Sequence, residues 1–227
     1  MPLLEISQLK KSFQGPDGGT HAVVDVPSFR LEERGQVALS GESGSGKTTF
    51  LNLIAGIIRA DSGTIRMGES VVTDLNEAKR DRLRASEMGY IFQTFNLLQG
   101  FTCLENVVLG MSFGGKVDRA VAKKLLDRVG LSDRMNHYPR QLSTGQQQRV
   151  AVARALAGGP RLVLADEPTG NLDHKNAGDA LSLIRETCDE TGAALLLVSH
   201  DRSVLEQFEN CQDLSEINVA SSKGETE

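Results

Sequence analysis

Three observations on the sequence predict an α/β fold. Two compact apolar runs, residues 162–165 and 194–198, flank a segment of helical period over 176–191. A third apolar run, 36–39, enters a glycine-rich turn and re-emerges as an amphipathic helix. Between about residues 94 and 159 strand character gives way to helical patterns. Strand–helix alternation on both sides of a helical middle describes an α/β core carrying an inserted helical lobe. The expected organisation is one domain, with its core in 1–93 and 160–217, a lobe in 94–159 and a polar tail in 218–227.

The elements follow in order. Residues 3–9 and 22–26 read as strands around a polar Gly/Pro/Asp loop at 14–20. The run 36–39 reads as a buried central strand, and 48–58 as a helix with Phe50, Leu51, Ile54, Ala55 and Ile58 on one face. Residues 64–67 and 71–73 read as edge strands of an antiparallel flank, near a Gly68 turn. In the lobe, Asp118 is placed to cap a helix carrying Val121, Ala122, Leu125, Leu126 and Val129, which Gly130 stops. A second helix over 145–157 ends at Gly158-Gly159-Pro160, and the tail from Asn218 is expected to fray.

Charge narrows the function. The chain has 227 residues, with 25 Lys+Arg against 30 Asp+Glu, a net charge of −5. That balance argues against binding nucleic acid or an anionic membrane by bulk charge. No stretch approaches the ~20 apolar residues that span a bilayer, and MPLLEISQLKKSF lacks the organisation of a secretory signal. Cys103, Cys188 and Cys211 are widely spaced and form no CxxC, so free thiols in a reducing cytoplasm are expected.

Chemistry concentrates in two places. Gly41-Glu42-Ser43-Gly44-Ser45-Gly46-Lys47-Thr48, continued by Thr49, fits GxxxxGK[ST] between a strand and a helix. Glycines let such a backbone curl so that N–H groups face phosphate oxygens, and the helix N-terminus adds its positive dipole end. In such a loop Lys47 bridges the β- and γ-phosphates and the Thr48 hydroxyl ligates Mg²⁺. The second place is Leu162-Val163-Leu164-Ala165-Asp166-Glu167, an apolar strand ending in two acids beside the loop. Asp166 is expected to hold Mg²⁺ through water, and Glu167 to polarise the attacking water.

Four further motifs carry a resemblance. Leu142-Ser143-Thr144-Gly145-Gln146, followed by Gln147-Gln148-Arg149-Val150, resembles the LSGGQ signature of ABC ATPases. Gln93 after Tyr90-Ile91-Phe92 resembles their Q-loop, Gly170-Asn171-Leu172-Asp173 their D-loop, and His200 after Leu197-Val198-Ser199 their switch histidine. The motifs stand in family order over nearly the whole chain. The resemblance implies a P-loop NTPase (RecA-like) core with an antiparallel β edge and an inserted α-helical signature subdomain. It implies ATP and Mg²⁺ as cofactors, with Gln93 joining Thr48 and Asp166 at the metal. Glu167, His200, Gln93 and Lys47 then form the catalytic group, and Phe13 stacks on adenine. ATP-bound chains would pair head to tail as a homodimer. The Ser143, Gly145 and Gln146 of each would cap the nucleotide held by the other's phosphate loop, and Asp173 would communicate across the dimer. Thr144 departs from the family's first glycine, but the phosphate-facing Ser143 and Gly145 are kept, so tolerance is expected.

Without a membrane span, a transporter built on this chain needs separate permease subunits. The resemblance sends the contact through Thr94-Phe95-Asn96-Leu97-Leu98 and Leu104-Glu105-Asn106-Val107. Phe92 to Leu98 and Ala165 to Asp173 look like the macrolide-export and lipoprotein-release ATPases. That branch implies a cytoplasmic subunit, peripheral on the inner face of the membrane through its permease, with a periplasmic adaptor reached through that permease. The alternative is a regulatory ATPase of the cell-division type, signalling through a membrane partner without transport. Nucleic acid is not an expected partner, because a DNA- or ribosome-acting relative needs tandem domains or a coiled-coil insertion.

Overall fold

The computed structural model describes residues 2–16, 18–115 and 117–220. Asp17 of the expected loop and residues 221–227 of the expected tail lie outside the described residues. The fold is the mixed α/β arrangement that the sequence predicts, built on two sheets. The first is antiparallel, in the order β2-β1-β4-β5, with β1 at Pro2–Gln14, β2 at Thr20–Glu32, β4 at Ser62–Met67 and β5 at Ser70–Val71. The second is parallel, in the order β6-β7-β8-β3-β9. Its strands are β3 (Gln36–Ser40), β6 (Met88–Ile91), β7 (Leu162–Asp166), β8 (Ala194–Ser199) and β9 (Cys211–Asp213).

Strands β7 and β8 are buried at every position, which is why they read as unbroken apolar runs. Their residues alternate between two cores. Leu162, Leu164, Leu196 and Val198 face helix α1 (Lys47–Ile54) and the antiparallel sheet, packing with Phe50 and Ile54. Val163, Ala165, Leu195 and Leu197 face the other way, toward α5 (Thr144–Leu156) and α6 (His174–Thr191). A separate cluster joins α5 to α3 (Cys103–Ser112) and α4 (Arg119–Arg128) through Val107, Met111, Leu126 and Val150. Helix α5 therefore touches both the parallel sheet and the helical cluster.

Several elements differ from expectation, each for a local reason. Strands β1 and β2 run well past 3–9 and 22–26: the long pair absorbs register shifts at Pro2/Leu4 and Lys11/Ser12, and it keeps register across Gln8 (φ 50°) and Pro27, which are themselves unpaired. Proline is tolerated there because β2 is an edge strand. Helix α1 ends at Ile54 rather than residue 58, since Gly56 adopts φ 65° and turns the chain. The strand expected over 71–73 is cut short at Val71. The chain then makes a 3₁₀ turn, Val72–Asp74, and the Thr73 hydroxyl accepts the Ile65 N–H (3.4 Å). Helix α2 (Glu77–Glu87) was not expected; only Arg80 on it is buried, so it shows no apolar stripe, and its Asn76 cap is its main signal. On α4, Asp118 caps as predicted, accepting from Ala120 and Val121 N–H, yet Val121 itself is exposed.

The largest departure is at the chain's end, where α7 (Arg202–Leu205), β9 and α8 (Leu214–Ile217) follow β8. Asn218 does not fray: it is 1% exposed and hydrogen-bonded to three other parts of the chain.

Candidate nucleotide site

Parallel strands place their carboxyl ends on one edge. Register pairs Ser40 with Ser199 and Asp166 with Val198, so the residues that follow β3, β7 and β8 emerge side by side. The turn after β3 is the predicted phosphate loop. Its Gly46 is the N-cap of α1 at φ 93°, and a Cβ there would lie 2.7 Å from the Val23 carbonyl oxygen, so only glycine fits. Lys47 is buried, and its ammonium donates to the Gly41 (2.6 Å) and Glu42 (2.8 Å) carbonyls. The same Nζ lies 3.5 Å from Glu167 Oε1.

Glu167 follows β7 directly, at φ 45°. A non-glycine residue pays for that left-handed backbone and holds it only where its surroundings require it. Here the carboxylate is buried and heavily bonded. Oε2 accepts from the Ser199 hydroxyl (3.1 Å) and the His200 N–H (3.3 Å), while His200 Nδ1 lies 2.8 Å from Oε1. Asp166 is buried beside it, and its Oδ1 has no partner among the described residues. Burial pushes the Asp166 carboxyl above its ordinary pKa; the Thr48 hydroxyl opposes that shift and the neighbouring Glu167 charge adds to it. An orphaned buried carboxylate oxygen next to a hydroxyl is a donor set that suits a hard divalent cation.

Gln93 completes the cluster. Its carbonyl accepts from Asn171 Nδ2 (2.6 Å), and its Nε2 would meet a Cβ on Gly170 at 3.3 Å. A cavity of about 540 Å³ is lined by Lys47, Thr48, Gln93, Glu167 and His200, with Val23 on one wall. Glu42, Ser43, Gly44 and Thr49 line it as well. Thus the predicted loop, Glu167 of the acid pair, Gln93 and His200 converge on one space, while Asp166 is buried beside Glu167 and does not line it. Ser45 contributes backbone: its N–H donates to the Glu42 carbonyl (3.2 Å). Gly41 packs so tightly on Ser45 Oγ that a Cβ would come within 2.6 Å.

Phe13 stands apart from that wall. It lies near the end of β1, 43% exposed, with the Lys11 ammonium 5.3 Å from its ring centroid. Val23 lines the cavity and sequence reasoning missed it; its available signal is its place on β2, two residues past the His21 that pairs with Phe13.

Ser143, Gly145 and Gln146 are also outside the cavity, at the start of α5. Ser143 accepts the Gln146 N–H (3.3 Å) and Gln146 Oε1 accepts the Ser143 N–H (3.0 Å), a reciprocal capping box. A Cβ on Gly145 would meet Asn176 Oδ1 at 3.3 Å, and Asn176 Nδ2 in turn donates to Asp173 (2.6 Å). Asp173 caps α6 and shares a smaller cavity, about 320 Å³, with Glu167 and His200. Arg154, farther along α5, is a second residue that sequence reasoning missed. Its guanidinium donates to the carbonyls of Phe95 (2.7 Å) and Asn96 (2.5 Å), which sit at φ 56° and 50° just past Gln93. One side chain thus ties the helix of the signature to the segment after the Q-loop. Of the apolar residues expected to receive a permease, Phe95, Leu97, Leu104 and Val107 are core of the helical cluster, and Leu98 is exposed.

The geometry bears on Thr144. It is the first residue of α5 and takes no positive φ, so no glycine is demanded there. Replacing it by glycine is expected to change phosphate release by less than about twofold, since glycine and threonine differ little at a helix's first turn. A large gain in rate would show that threonine impairs the site.

Comparison with known proteins extends this picture. Residues 24–170 match the family model described as ABC transporter. The chain is 43% identical over 202 residues to the lipoprotein-releasing system ATP-binding protein LolD of Treponema denticola, covering 88% of this chain and 89% of that one. It is 40% identical to the macrolide export ATP-binding/permease protein MacB of Syntrophobacter fumaroxidans, over 90% of this chain but 29% of that longer protein. Among solved structures it resembles the dimeric ATP-binding cassette MJ0796 in a post-hydrolysis state with ADP and Pi. That likeness has a TM-score of 0.80 and 33% identity, covering 88% of this chain and 89% of that one.

Proposed function

From the premise that the chain belongs to the ABC transporter family, we propose that it is the ATP-hydrolysing subunit of a membrane transporter that exports substrate or extracts lipoproteins. The supporting observation is the convergence of Lys47, Glu167 and His200. One carboxylate lies 2.8 Å from the imidazole and 3.5 Å from the ammonium, at the mouth of the phosphate loop. In this reading the N–H groups of residues 41–48 and the Lys47 ammonium hold the phosphates. Thr48, Asp166 and Gln93 would hold Mg²⁺, which supplies charge neutralisation on the phosphate oxygens when bound. Glu167 accepts the proton side of the attacking water, and His200 senses the γ-phosphate while fixing the Glu167 carboxylate. Phe13 takes the adenine.

The α5 N-terminus lies outside the cavity of its own chain, so it is free to serve another chain. A second copy placed head to tail brings Ser143, Gly145 and Gln146 over the γ-phosphate and Asp173 against the partner. Swinging such a dimer from 99% closed to 99% open takes about 5.5 kcal/mol of differential affinity. Loss of charge-assisted hydrogen bonds to two γ-phosphates, each bond worth about 1.5–3 kcal/mol, is of that size. ATP closes the clamp and hydrolysis releases it.

The lobe, residues 94–159, carries this motion to permease subunits. Among the described residues no helix is long and apolar enough to cross a membrane; in this reading force passes through a docked permease. LolD is named for lipoprotein release and MacB for macrolide export; the same branch is proposed here, with a periplasmic adaptor reached through the permease. The reading places the chain on the cytoplasmic face. Gently solubilised membranes test it: a permease is expected to co-purify with the tagged chain. Recovery of the chain with no membrane protein overturns the transport reading.

A further inference from the structure

The segment after β8 returns to the phosphate loop from behind. At its start, Ser40, the last residue of β3, donates its hydroxyl to Asp213 Oδ2 (3.1 Å). One residue on, the Leu214 side chain packs where a Gly41 Cβ would lie, 3.5 Å away. At its end stands Asn218, which uses both ends of its amide. Oδ1 accepts the Asp25 N–H (2.7 Å) and the Ala220 N–H (3.3 Å). Nδ2 donates to the Val23 carbonyl (2.9 Å) and the Ser45 carbonyl (3.2 Å). The neighbouring Val219 N–H adds a bond to the Asp25 carbonyl (2.9 Å).

We propose that residues 211–220 form a latch for the phosphate loop, with Asn218 as the positioning residue that sets its nucleotide-binding geometry. The peptide plane supplies the reason. The Ser45 carbonyl and the Gly46 N–H belong to one planar trans unit and point in opposite directions. Holding that carbonyl on Asn218, behind the loop, therefore aims the Gly46 N–H away from Asn218 and toward the cavity that Gly46 lines. The same amide fixes the carbonyl of Val23, a residue that lines the same cavity. Gly46 closes the packing, since a Cβ on it would meet the Val23 carbonyl at 2.7 Å and Asn218 Nδ2 at 3.5 Å. One buried side chain thus holds the phosphate-binding loop in register with β2. Its partners on β2 and in the loop lie 173 to 195 residues away in sequence.

The inference rests on reading residues 41–48 as the phosphate loop, and the experiment separates the two. Steady-state ATP hydrolysis is measured for the full chain, Asn218→Ala and Asn218→Asp, with thermal melts alongside. Aspartate keeps the acceptor facing the Asp25 N–H but turns a second acceptor oxygen toward the Val23 and Ser45 carbonyls, replacing attraction by repulsion there. Both variants are expected to raise KM for ATP about tenfold while kcat stays within about twofold, as for lost binding geometry rather than lost chemistry. A folded variant with wild-type KM overturns the inference, as does a lower melting temperature with KM unchanged. A wild-type chain without ATPase activity would instead overturn the site reading. Amide exchange on the unmodified chain reads the latch with no substitution: ATP should protect residues 211–220 together with 41–48. Protection of 41–48 alone contradicts it.

Discussion

Glu167→Gln is expected to lower steady-state ATP hydrolysis at least about a hundredfold while leaving ATP binding intact, the scale on which general-base catalysis contributes. The substitution is nearly isosteric. A glutamine carbonyl oxygen can still accept from the Ser199 hydroxyl or the His200 N–H, so the φ 45° backbone and the loop it anchors keep their supports. What is lost is the charge that polarises water. The carboxylate lies 3.5 Å from Lys47 Nζ and 2.8 Å from His200 Nδ1, neighbours that hold it at the mouth of the loop. Phosphate release at saturating ATP measures the effect. Turnover of the variant at the wild-type rate would show that Glu167 is not the base.

Lys47→Ala acts on the other half of the reaction. Its ammonium is buried and makes two charge-assisted bonds to the Gly41 and Glu42 carbonyls, which keep it inside the curl of the loop. Exchanging those partners for phosphate oxygens adds little desolvation of the ammonium, because that charge is already out of water. Removing the side chain deletes at least one charge-assisted bond to phosphate, worth about 1.5–3 kcal/mol, so ATP affinity should fall by at least about tenfold to a hundredfold. Equilibrium binding of ATP, measured without turnover, checks this. Wild-type affinity in the alanine variant would remove Lys47 from the phosphate contacts. The two substitutions therefore separate binding from chemistry: one holds ATP without hydrolysing it, the other fails to hold it.

How much of this was legible in the sequence depends on where each residue gets its burial. Strands β7 and β8 were readable because both faces are covered, which leaves the apolar run uninterrupted. The phosphate loop and the acid pair were readable because their chemistry fixes residue type at fixed spacing, with local backbone supplying the geometry. Helix α2 was not, because its one buried residue is the charged Arg80 and Leu83 is its only large apolar side chain, so periodicity had nothing to register. The full lengths of β1 and β2 were hidden by half-exposed alternation and by Pro27. Asn218 was the plainest miss. A polar residue in a polar tail gives no sign that its partners stand nearly two hundred positions earlier.

The signature illustrates a different limit. Ser143 and Gln146 cap their own helix in a geometry the S-x-x-Q spacing predicts. Neither lines the cavity around Lys47 in its own chain, and the proposed function therefore assigns them to a second copy. Thr144 stands as the first residue of α5 without a positive φ, so the backbone there makes no demand for glycine.

The central claim is that ATP closes two copies of this chain and that hydrolysis opens them. Light scattering on Glu167→Gln tests it most directly, because that variant holds ATP without consuming it. With ATP and Mg²⁺ the measured mass should be twice the 24.5 kDa of the chain, and with ADP it should return to 24.5 kDa. A mass of one chain under both nucleotides, at concentrations where ATP is bound, would contradict the account.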